Sequence, residues 1–397
     1  MKRRLALWAR IRSMQLVYAI ASVRPVQPKV ILATSHIPAI RGNLAAIGDE
    51  IQRRDSTIAV TRLIHARESG LFGVLRALVN DCQAIYHLAT AVLFITDSHY
   101  VPIYVIKRRP GTAIVQVWHA CGAIKKIGYS VLGKSFGTDS VTADAIRIHS
   151  NYDLCLAGSQ AAVVQYMDAF RQPASLFRTD LGIPRTDVLI AEAGRDALIA
   201  AIRQRYAIPA RRRVVLYAPT FRGASMTKAK YPGNLDLAAM AEALGKDHVI
   251  LLRLHPAIRA GLELDPSLAG FVIDVSDWPE INELMLVSDV LVTDYSSVVF
   301  EFALLGRPMA FFAPDTAEYD DERGFYFDYR TGVPGPVFET TSELAAYLRA
   351  GEFDLDRVRA FATTWFEVAD GHASERFFDQ VVVPALEGRP ITGHVPR

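Results

Sequence analysis

The sequence predicts an α/β fold with two doubly wound domains, and its length, its composition and its alternating pattern support that prediction. At 397 residues the chain is long enough for two domains that each bury a core. Hydrophobic residues make up 51% of the chain and charged residues 22%, which is typical of a globular protein and not of a disordered one. Short apolar runs alternate with helical stretches, as in parallel sheets that are covered by helices.

Charge and cysteine content exclude several classes of protein. The net charge of +2 argues against bulk binding of nucleic acid. The three cysteines, Cys82, Cys121 and Cys155, are far apart, form no metal-binding spacing and suit a reducing cytoplasm. No apolar run approaches the roughly 20 residues that a transmembrane helix needs.

Residues 1–28 mix basic residues with aromatic and aliphatic ones. Arg10 and Arg12 interrupt any signal-peptide core, and Pro25 and Pro28 end the segment. This composition predicts an amphipathic helix that lies on an anionic membrane surface. The alternative is an ordinary amphipathic helix that packs on its own domain.

The first domain is expected at residues 29–190. Its apolar runs, which are the candidate strands, are Lys29–Ala33, Ala84–Leu88, Ala91–Thr96, Ala113–Trp118 and Tyr152–Ala157. His119 directly follows one of these runs, at the carboxyl end where open α/β sheets bind ligands. A histidine can take up a proton near neutral pH, and Lys125 and Lys126 are suited to an anionic substrate. An isolated Trp-His pair, however, is more often structural.

The second domain is expected at residues 191–365. Thr220 and Arg222 follow the strand Val214–Ala218, and an arginine fork there can reach an oxyanion. Arg253 and His255 end the next strand and, being two residues apart, share one face. Two such groups aimed in one direction are what a diphosphate needs.

The stretch Val287–Phe312 predicts a strand, a polar turn, a short helix and a second strand. Asp294, Ser296 and Ser297 lie in the turn, where backbone N–H groups and serine hydroxyls suit a phosphate. The alternative is that these side chains only cap the helix.

Residues 293–308, TDYSSVVFEFALLGRP, resemble the signature of the CDP-glycerol glycerophosphotransferase family, whose members build teichoic acids and some capsules. The segments GNL, QVWHACGAIKKIG, YAPTFR and LRLHP resemble further motifs of this family, in the family's order. The resemblance extends over about residues 29–370. Two residues depart from it: Ala120 replaces the usual glycine, and Glu301 the usual aspartate.

The resemblance implies the GT-B architecture, in which two Rossmann-like domains face a central cleft. The first domain would bind the acceptor and the second the CDP-alcohol. The implied reaction transfers glycerol phosphate, or a related polyol phosphate, from CDP-glycerol to a hydroxyl of a lipid-linked glycan or growing polymer and releases CMP. It would take place at the cytoplasmic face of the membrane, without a cofactor. No acidic cluster such as DxD with further ligands is evident in the sequence, so protein groups are expected to supply the positive charge in place of a metal ion. The net charge leads us to expect no nucleic-acid partner.

The resemblance also suggests roles for the site residues. His119 would be the general base. His255, the second catalytic histidine, would hold the diphosphate with Arg222, Arg253, Thr220, Ser296 and Ser297. Asp294 would orient its turn or bind substrate hydroxyls, and Lys125 and Lys126 would contact the substrate.

Other features of the sequence leave alternatives open. Arg185 and Asp187, in a segment similar to the family's G.PR.D motif, would pair with each other or face the cleft. Residues 366–397 are expected to form helices that cross back to the first domain, and a tail. A GT-B sugar transferase, a nucleotide-sugar epimerase and a non-catalytic membrane-associated protein remain as rivals. The sequence leaves open whether the donor carries glycerol, ribitol or another alcohol, which acceptor is used, whether one unit or many are added, and the oligomeric state.

Overall fold

Two parallel β-sheets form the framework of the protein. The structure, a computed structural model, describes residues 2–35, 37–65, 70–132, 134, 140–223, 229–255, 258 and 264–391. Within these residues, each sheet has six strands and every strand pairing is parallel. This arrangement confirms the predicted α/β fold with two doubly wound, Rossmann-like units.

The first sheet has the strand order β2-β1-β3-β4-β5-β6. Its strands are β1 (Gln27–Thr34), β2 (Ala59–Ile64), β3 (Ala91–Thr96), β4 (Ala113–Gln116), β5 (Leu154–Leu156) and β6 (Phe177–Arg178). Its helices and the two that follow it are α1 (Lys2–Ala21), α2 (Gly42–Arg54), α3 (Gly70–Thr90), α4 (Val101–Val105), α5 (Ser140–Ala145), α6 (Gln160–Phe170), α7 (Asp187–Ile190) and α8 (Arg195–Arg205). The strand order reverses between β1 and β3, the kind of place where ligands bind in open α/β sheets.

The second sheet has the strand order β12-β11-β10-β7-β8-β9. Its strands are β7 (Arg213–Ala218), β8 (His248–Leu252), β9 (Val272–Asp274), β10 (Val290–Thr293), β11 (Met309–Phe312) and β12 (Val337–Phe338). Its helices are α9 (Leu237–Leu244), α10 (Ile281–Leu286), α11 (Val298–Ala303), α12 (Thr316–Arg323), α13 (Tyr329–Gly332) and α14 (Thr341–Ala350). The order reverses between β7 and β10, so the switch point lies at the turn that carries Asp294.

The last helices contact the first sheet's domain. They are α15 (Leu355–Trp365), α16 (Ala373–Phe377) and α17 (Val383–Leu386), with a π-helical turn at Phe378–Val382. The Glu367 N–H donates to the Gly158 carbonyl at 2.9 Å, and Arg178 donates to Gln380 at 2.6 Å. The chain therefore crosses between the two sheets a second time after α14.

The amino-terminal helix α1 packs one face on its own domain. Met14, Tyr18 and Ala21 are buried, and Arg10 forms an ion pair with Asp81 on α3 at 2.6 Å. Among the described helices, none is long and apolar enough to span a membrane.

The apolar run Ala84–Leu88 is not a strand, which corrects the sequence prediction. It lies in α3, where Ala84, Ile85 and Leu88 are buried on one helical face. The sequence pattern did not identify strands β2, β6 and β12. Exposed positions interrupt β2, and the other two have only two residues each. The predicted tail after Pro390 and the end of the LRLHP motif, Pro256, lie largely outside the described residues.

Candidate active site

The carboxyl ends of the two sheets line one cleft. Its polar side chains from the first domain are Arg41, Asn43, Asp97, His119 and Arg185. Those from the second domain are Thr220, Arg253, His255, Glu280, Ser296, Ser297 and Glu301. The cleft therefore brings together both predicted catalytic histidines and four of the eight predicted substrate-binding residues.

His119 has a defined tautomer. Its Nδ1 lies 2.7 Å from the backbone carbonyl of Asp97, and a carbonyl can only accept a hydrogen bond. Nδ1 therefore carries the proton, and in the neutral ring Nε2 is the basic nitrogen. The ring stacks on Trp118 with 4.4 Å between centroids, which restricts its rotation. A fixed, neutral imidazole of this kind can act as a general base.

The backbone around His119 is held by side chains from two other segments. Trp118 has a left-handed backbone with φ of 48°. Asn43 Nδ2 donates to the carbonyls of Val117 and Trp118 at 2.9 and 3.0 Å, and Arg185 Nη1 donates to the His119 carbonyl at 2.5 Å. These bonds stabilise an unusual conformation directly before His119.

Ala120 fits the loop without backbone strain. The backbone φ of Ala120 lies outside the left-handed region, whereas that of the nearby Trp118 lies within it. Its carbonyl accepts a hydrogen bond from the Tyr166 hydroxyl at 2.8 Å. Alanine in place of glycine therefore requires no rearrangement here.

Arg253 and His255 form the second-domain side of the cleft. Arg253 is buried, and its Nη1 donates to the carbonyls of Ser276 and Leu254 at 2.5 and 3.2 Å. The His255 ring packs against Phe221 at a centroid distance of 5.1 Å. Both side chains are thus fixed by neighbours while lining the cleft, as an anion-binding site requires.

Asp294 connects the strands on either side of the switch point. Its carboxylate accepts from the Thr220 N–H at 2.8 Å and from Arg222 Nη1 at 3.0 Å. Burial raises the pKa of Asp294, and the Arg222 charge opposes this shift. Ser296 Oγ accepts from the Val298 N–H at 3.4 Å, whereas Ser297, the N-cap residue of α11, makes no side-chain capping bond among the described residues.

Arg222 is turned towards acidic side chains and does not line the cleft. Its guanidinium binds Asp315 at 2.6 and 3.0 Å as well as Asp294, and it lies over the rings of Tyr295 and Tyr319. The Nε and Nη2 groups of Arg222 thus bind Asp315, and its Nη1 group binds Asp294. Its assignment to the diphosphate stays a prediction that these contacts do not support.

Lys125 and Lys126 lie at another contact between the domains and do not line the cleft. The Lys126 N–H donates to the Gly324 carbonyl at 2.9 Å, and the Tyr326 N–H donates to the Ile124 carbonyl at 3.0 Å. The Lys125 ammonium lies 5.9 Å from the centre of the Tyr319 ring. A substrate role for the two lysines also stays a prediction.

Arg185 faces the cleft, and it does not pair with Asp187. It forms an ion pair with Glu301 of α11 at 3.3 Å, whereas Asp187 accepts from the N–H groups of Ala373 and Ser374. Because Arg185 also holds the His119 carbonyl, this ion pair connects the second domain to the loop that carries His119.

Asp97 is a cleft residue that the sequence reasoning missed. It follows β3 directly, is 3% exposed, and has an Oδ1 with no hydrogen-bond partner among the described residues. Burial raises the pKa of Asp97 to about 6. Its position after a buried strand is the signal that could have identified it, because that signal identified His119.

The sequence model of the CDP-glycerol:poly(glycerophosphate) glycerophosphotransferase family matches residues 16–383. The chain belongs to this family. This result confirms the resemblance described from the motifs, and it makes the protein a transferase.

Curated relatives within the glycerophosphotransferase family cover most of the chain. A teichoic acid ribitol-phosphate primase of Bacillus spizizenii is 36% identical over 363 residues, which are 91% of this chain and 92% of the relative. A teichoic acid poly(ribitol-phosphate) polymerase of the same organism is 32% identical over 373 residues, 93% of this chain but 59% of the relative.

The fold also matches a solved structure of a teichoic acid enzyme. A structure of the wall teichoic acid polymerase TagF, soaked with CDPG, has a TM-score of 0.77 and 24% identity, and the match covers 97% of this chain and 96% of that one. The glycerophosphotransferase chain thus has the GT-B architecture that the motifs implied.

The described residues contain no group of three or more His, Cys, Asp or Glu side chains that could hold a metal ion. The cleft is also lined by arginines, such as Arg253, and by histidines, such as His255.

Proposed function

We propose that this protein transfers a polyol phosphate from a CDP-alcohol to a hydroxyl of a lipid-linked glycan or a growing polymer and releases CMP. The product would be a teichoic acid or a related cell-surface polymer, such as a capsule. The observation that supports this proposal is that His119 and the pair Arg253 and His255 line one cleft from opposite sheets. A base from one domain and anion-binding groups from the other suit an in-line phosphoryl transfer.

In the proposed step, the acceptor hydroxyl loses its proton to Nε2 of His119 as its oxygen attacks the β-phosphorus. The bond from the β-phosphorus to the bridging oxygen breaks, and CMP leaves with that oxygen and its negative charge. Arg253 and His255, with the hydroxyls of Thr220, Ser296 and Ser297, would stabilise this charge. A well-placed donor of this kind typically contributes roughly 3–4 kcal/mol to lowering the barrier.

The transferred polyol is glycerol or ribitol. The name of the matching family specifies glycerol phosphate, whereas the two relatives described above are named for ribitol phosphate. Both donors share the cytidine diphosphate that the second domain would bind, so a measurement of turnover with each donor is needed to distinguish them.

The test is CMP release by the purified protein with CDP-glycerol and CDP-ribitol, each with and without a lipid-linked disaccharide acceptor that carries a first glycerol phosphate. Acceptor-dependent CMP from one donor is expected, and the mass of the product distinguishes one added unit from many. UDP-N-acetylglucosamine serves as a control donor. Turnover of the UDP-sugar, with silence from both CDP-alcohols, would contradict the proposal.

We propose that the reaction needs no metal ion, because protein cations line the cleft at the proposed diphosphate position. Turnover is expected to be unchanged after exhaustive treatment with EDTA. A loss of activity that added Mg²⁺ or Mn²⁺ restores would contradict this part of the proposal.

We further propose that the outer face of α1 docks on the anionic inner surface of the membrane, which supplies the acceptor. The exposed apolar side chains there are Leu5, Trp8, Leu16 and Ile20, and those of the adjacent helix α3 are Leu75, Leu78 and Val79. The exposed basic residues Arg4, Arg12 and Arg24 belong to the same amino-terminal segment. Apolar and basic side chains on one surface suit an interface with anionic lipid.

A further inference from the structure

We infer that Asp97 and His119 form a two-point subsite for a polyhydroxylated acceptor. His119 receives the hydroxyl that reacts, and Asp97 binds a neighbouring hydroxyl of the same molecule. This inference rests on the proposed function and assigns a residue that determines how the acceptor is oriented.

The two side chains are held next to each other by the sheet and by a direct contact. Asp97 follows β3 and His119 follows β4, and these strands pair at Thr96 and Gln116. The Asp97 carbonyl accepts the hydrogen bond from His119 Nδ1 at 2.7 Å. One residue therefore supplies both the carbonyl that holds the imidazole ring and a carboxylate that belongs to the same cleft.

The Asp97 carboxylate has an unused acceptor position. The side chain is buried and lines the cleft. The Thr34 and Ser98 side chains hydrogen-bond to the carboxylate, but among the described residues none hydrogen-bonds to its Oδ1. Buried polar atoms in folded proteins nearly always have a partner. An ionised carboxylate can only accept, so the missing partner is a donor, and a hydroxyl is a donor of the right kind.

The position of Asp97 favours the acceptor over the donor as the source of that hydroxyl. Both molecules of the proposed reaction carry polyol hydroxyls, so the chemistry alone does not separate them. Asp97 belongs to the sheet that carries the proposed base, whereas the proposed diphosphate ligands Arg253 and His255 belong to the other sheet. A hydroxyl next to the reacting one must lie near His119, where Asp97 is.

Asp97 has a second structural role that the test must separate from binding. Its backbone carbonyl, and not its carboxylate, fixes the His119 tautomer. Asp97→Asn keeps that carbonyl and nearly the same volume but removes the negative charge. We therefore expect the His119 ring to remain in place and the hydrogen bond between the acceptor hydroxyl and the carboxylate to be weakened.

The experiment measures kcat and KM for acceptor and donor separately in the wild type and in Asp97→Asn. A hydrogen bond to a charged group corresponds to about a tenfold to hundredfold effect, so the acceptor kcat/KM is expected to fall by that factor. The donor KM is expected to stay within about twofold of the wild-type value, because the substitution does not change the residues that are proposed to bind the donor. A fall in donor affinity with an unchanged acceptor KM would overturn the assignment to the acceptor.

The matched control is Asp153→Asn in the same sheet. Asp153 is partly buried at the start of β5, pairs with Arg108 at 2.5 Å, and accepts from the Ile114 N–H at 2.7 Å. Its replacement is expected to lower the melting temperature and leave the acceptor KM unchanged. An equal rise in acceptor KM in both variants would show a general loss of structure and would overturn the inference.

A second measurement needs no protein variant. Acceptor analogues that lack the hydroxyl next to the reacting one are expected to lose about tenfold or more in kcat/KM with the wild type. With Asp97→Asn the same analogues should show little further loss, because the two changes remove one interaction. If the wild type does not distinguish the analogues, the inference is wrong even if Asp97→Asn does not fold.

The inference and the proposed function fail in different ways. A wild-type protein that releases no acceptor-dependent CMP contradicts the proposed function. An active wild type whose acceptor kinetics do not change on removal of the Asp97 charge contradicts only the subsite.

Discussion

Asn43 illustrates how one buried side chain can hold the loop that carries His119. Its amide donates to two successive carbonyls before His119, and its Oδ1 accepts from the Arg185 N–H at 3.0 Å. Asn43→Ala would leave these buried groups without partners, so we expect the free energy of unfolding to fall by roughly 2–3 kcal/mol. We also expect turnover of the folded protein to fall at least about tenfold, because the base moves.

The matched control for Asn43 is Asn151→Ala. The Asn151 amide also donates to two carbonyls, those of Ile103 and Ile106, at 2.8 and 3.1 Å. Urea unfolding and CMP release measured on both variants should show a loss of stability in each but a loss of turnover only in Asn43→Ala. Equal turnover in the two variants would mean that Asn43 has only a structural role.

Asp97 predicts a pH-dependent stability. Burial raises its pKa from 3.8 to about 6, so the folded protein binds the proton more tightly than the unfolded chain does. The stability associated with the protonated group is fully present below about pH 4 and is lost as the pH rises through about 6.

Asp97→Asn removes this titration. The free energy of unfolding of the variant minus that of the wild type should increase by roughly 2–3 kcal/mol as the pH is raised from 4 to 7.5. Urea unfolding at a series of pH values measures the difference. A difference between variant and wild type that does not change with pH would show that the carboxylate is not destabilised in the cleft.

The sequence identifies some of these residues and not others for a simple geometric reason. His119, Arg253, His255 and Ser296 follow buried strands, and all parallel strands of a sheet end at the same edge. Arg222 also follows such a strand, but its fork meets Asp315, which is 93 residues further along. Spacing along the chain indicates the edge of the sheet but not the partner that a long side chain reaches.

Helix α11 connects the side of the cleft that is proposed to bind the donor to the His119 loop. Its Glu301, 2% exposed, pairs with Arg185, which in turn donates to the His119 carbonyl. Glu301→Gln would remove the largest of the negative charges that act on the buried Arg185 guanidinium and leave it with Glu280 and Asp97. We expect the free energy of unfolding to fall by roughly 3 kcal/mol and turnover to fall with it.

The control for Glu301 is Asp277→Asn, which removes an exposed ion pair with Arg205. The two side chains of that pair are 57% and 54% exposed, so solvent screening should make its loss nearly neutral for stability. Chemical unfolding of both variants provides the comparison. Equal small losses would mean that the Arg185–Glu301 pair does not hold the two domains together.

Elements were predicted well where burial was complete and poorly where it was not. Strands β1, β3, β7, β8 and β10 have continuous or nearly continuous buried runs, which stand out in the sequence. The edge strands β2 and β12 have exposed or half-buried positions and lack this signal. The run in α3 was misread because a short apolar run does not distinguish a buried strand from one face of a helix.

The outer face of α1 and α3 gives a prediction about the behaviour of the whole protein. Trp8 and Leu16 are 58% and 63% exposed there. Replacing both with glutamate removes apolar contact and adds negative charge, so we expect binding to phosphatidylglycerol vesicles to weaken at least about tenfold. Vesicle sedimentation at low and moderate salt measures this, with turnover on a water-soluble acceptor as a check on folding.

The control for the membrane surface is Val164→Glu, which changes an apolar side chain of α6 that is 68% exposed. Binding to vesicles should be unchanged in this variant. If the Trp8 and Leu16 variant binds as the wild type does, α1 does not dock on lipid.

The division of work between the two domains is tested most directly by measuring donor binding and turnover on the same variants. His119→Ala should bind the CDP-alcohol with a Kd within about threefold of the wild type, while turnover falls about 100-fold or more, the usual contribution of a general base. His255→Ala should weaken donor binding and turnover together, because it removes a ligand of the diphosphate. Near-normal turnover in His119→Ala, or lost donor binding there with normal binding in His255→Ala, would contradict the assignment of acceptor and donor to the two sheets.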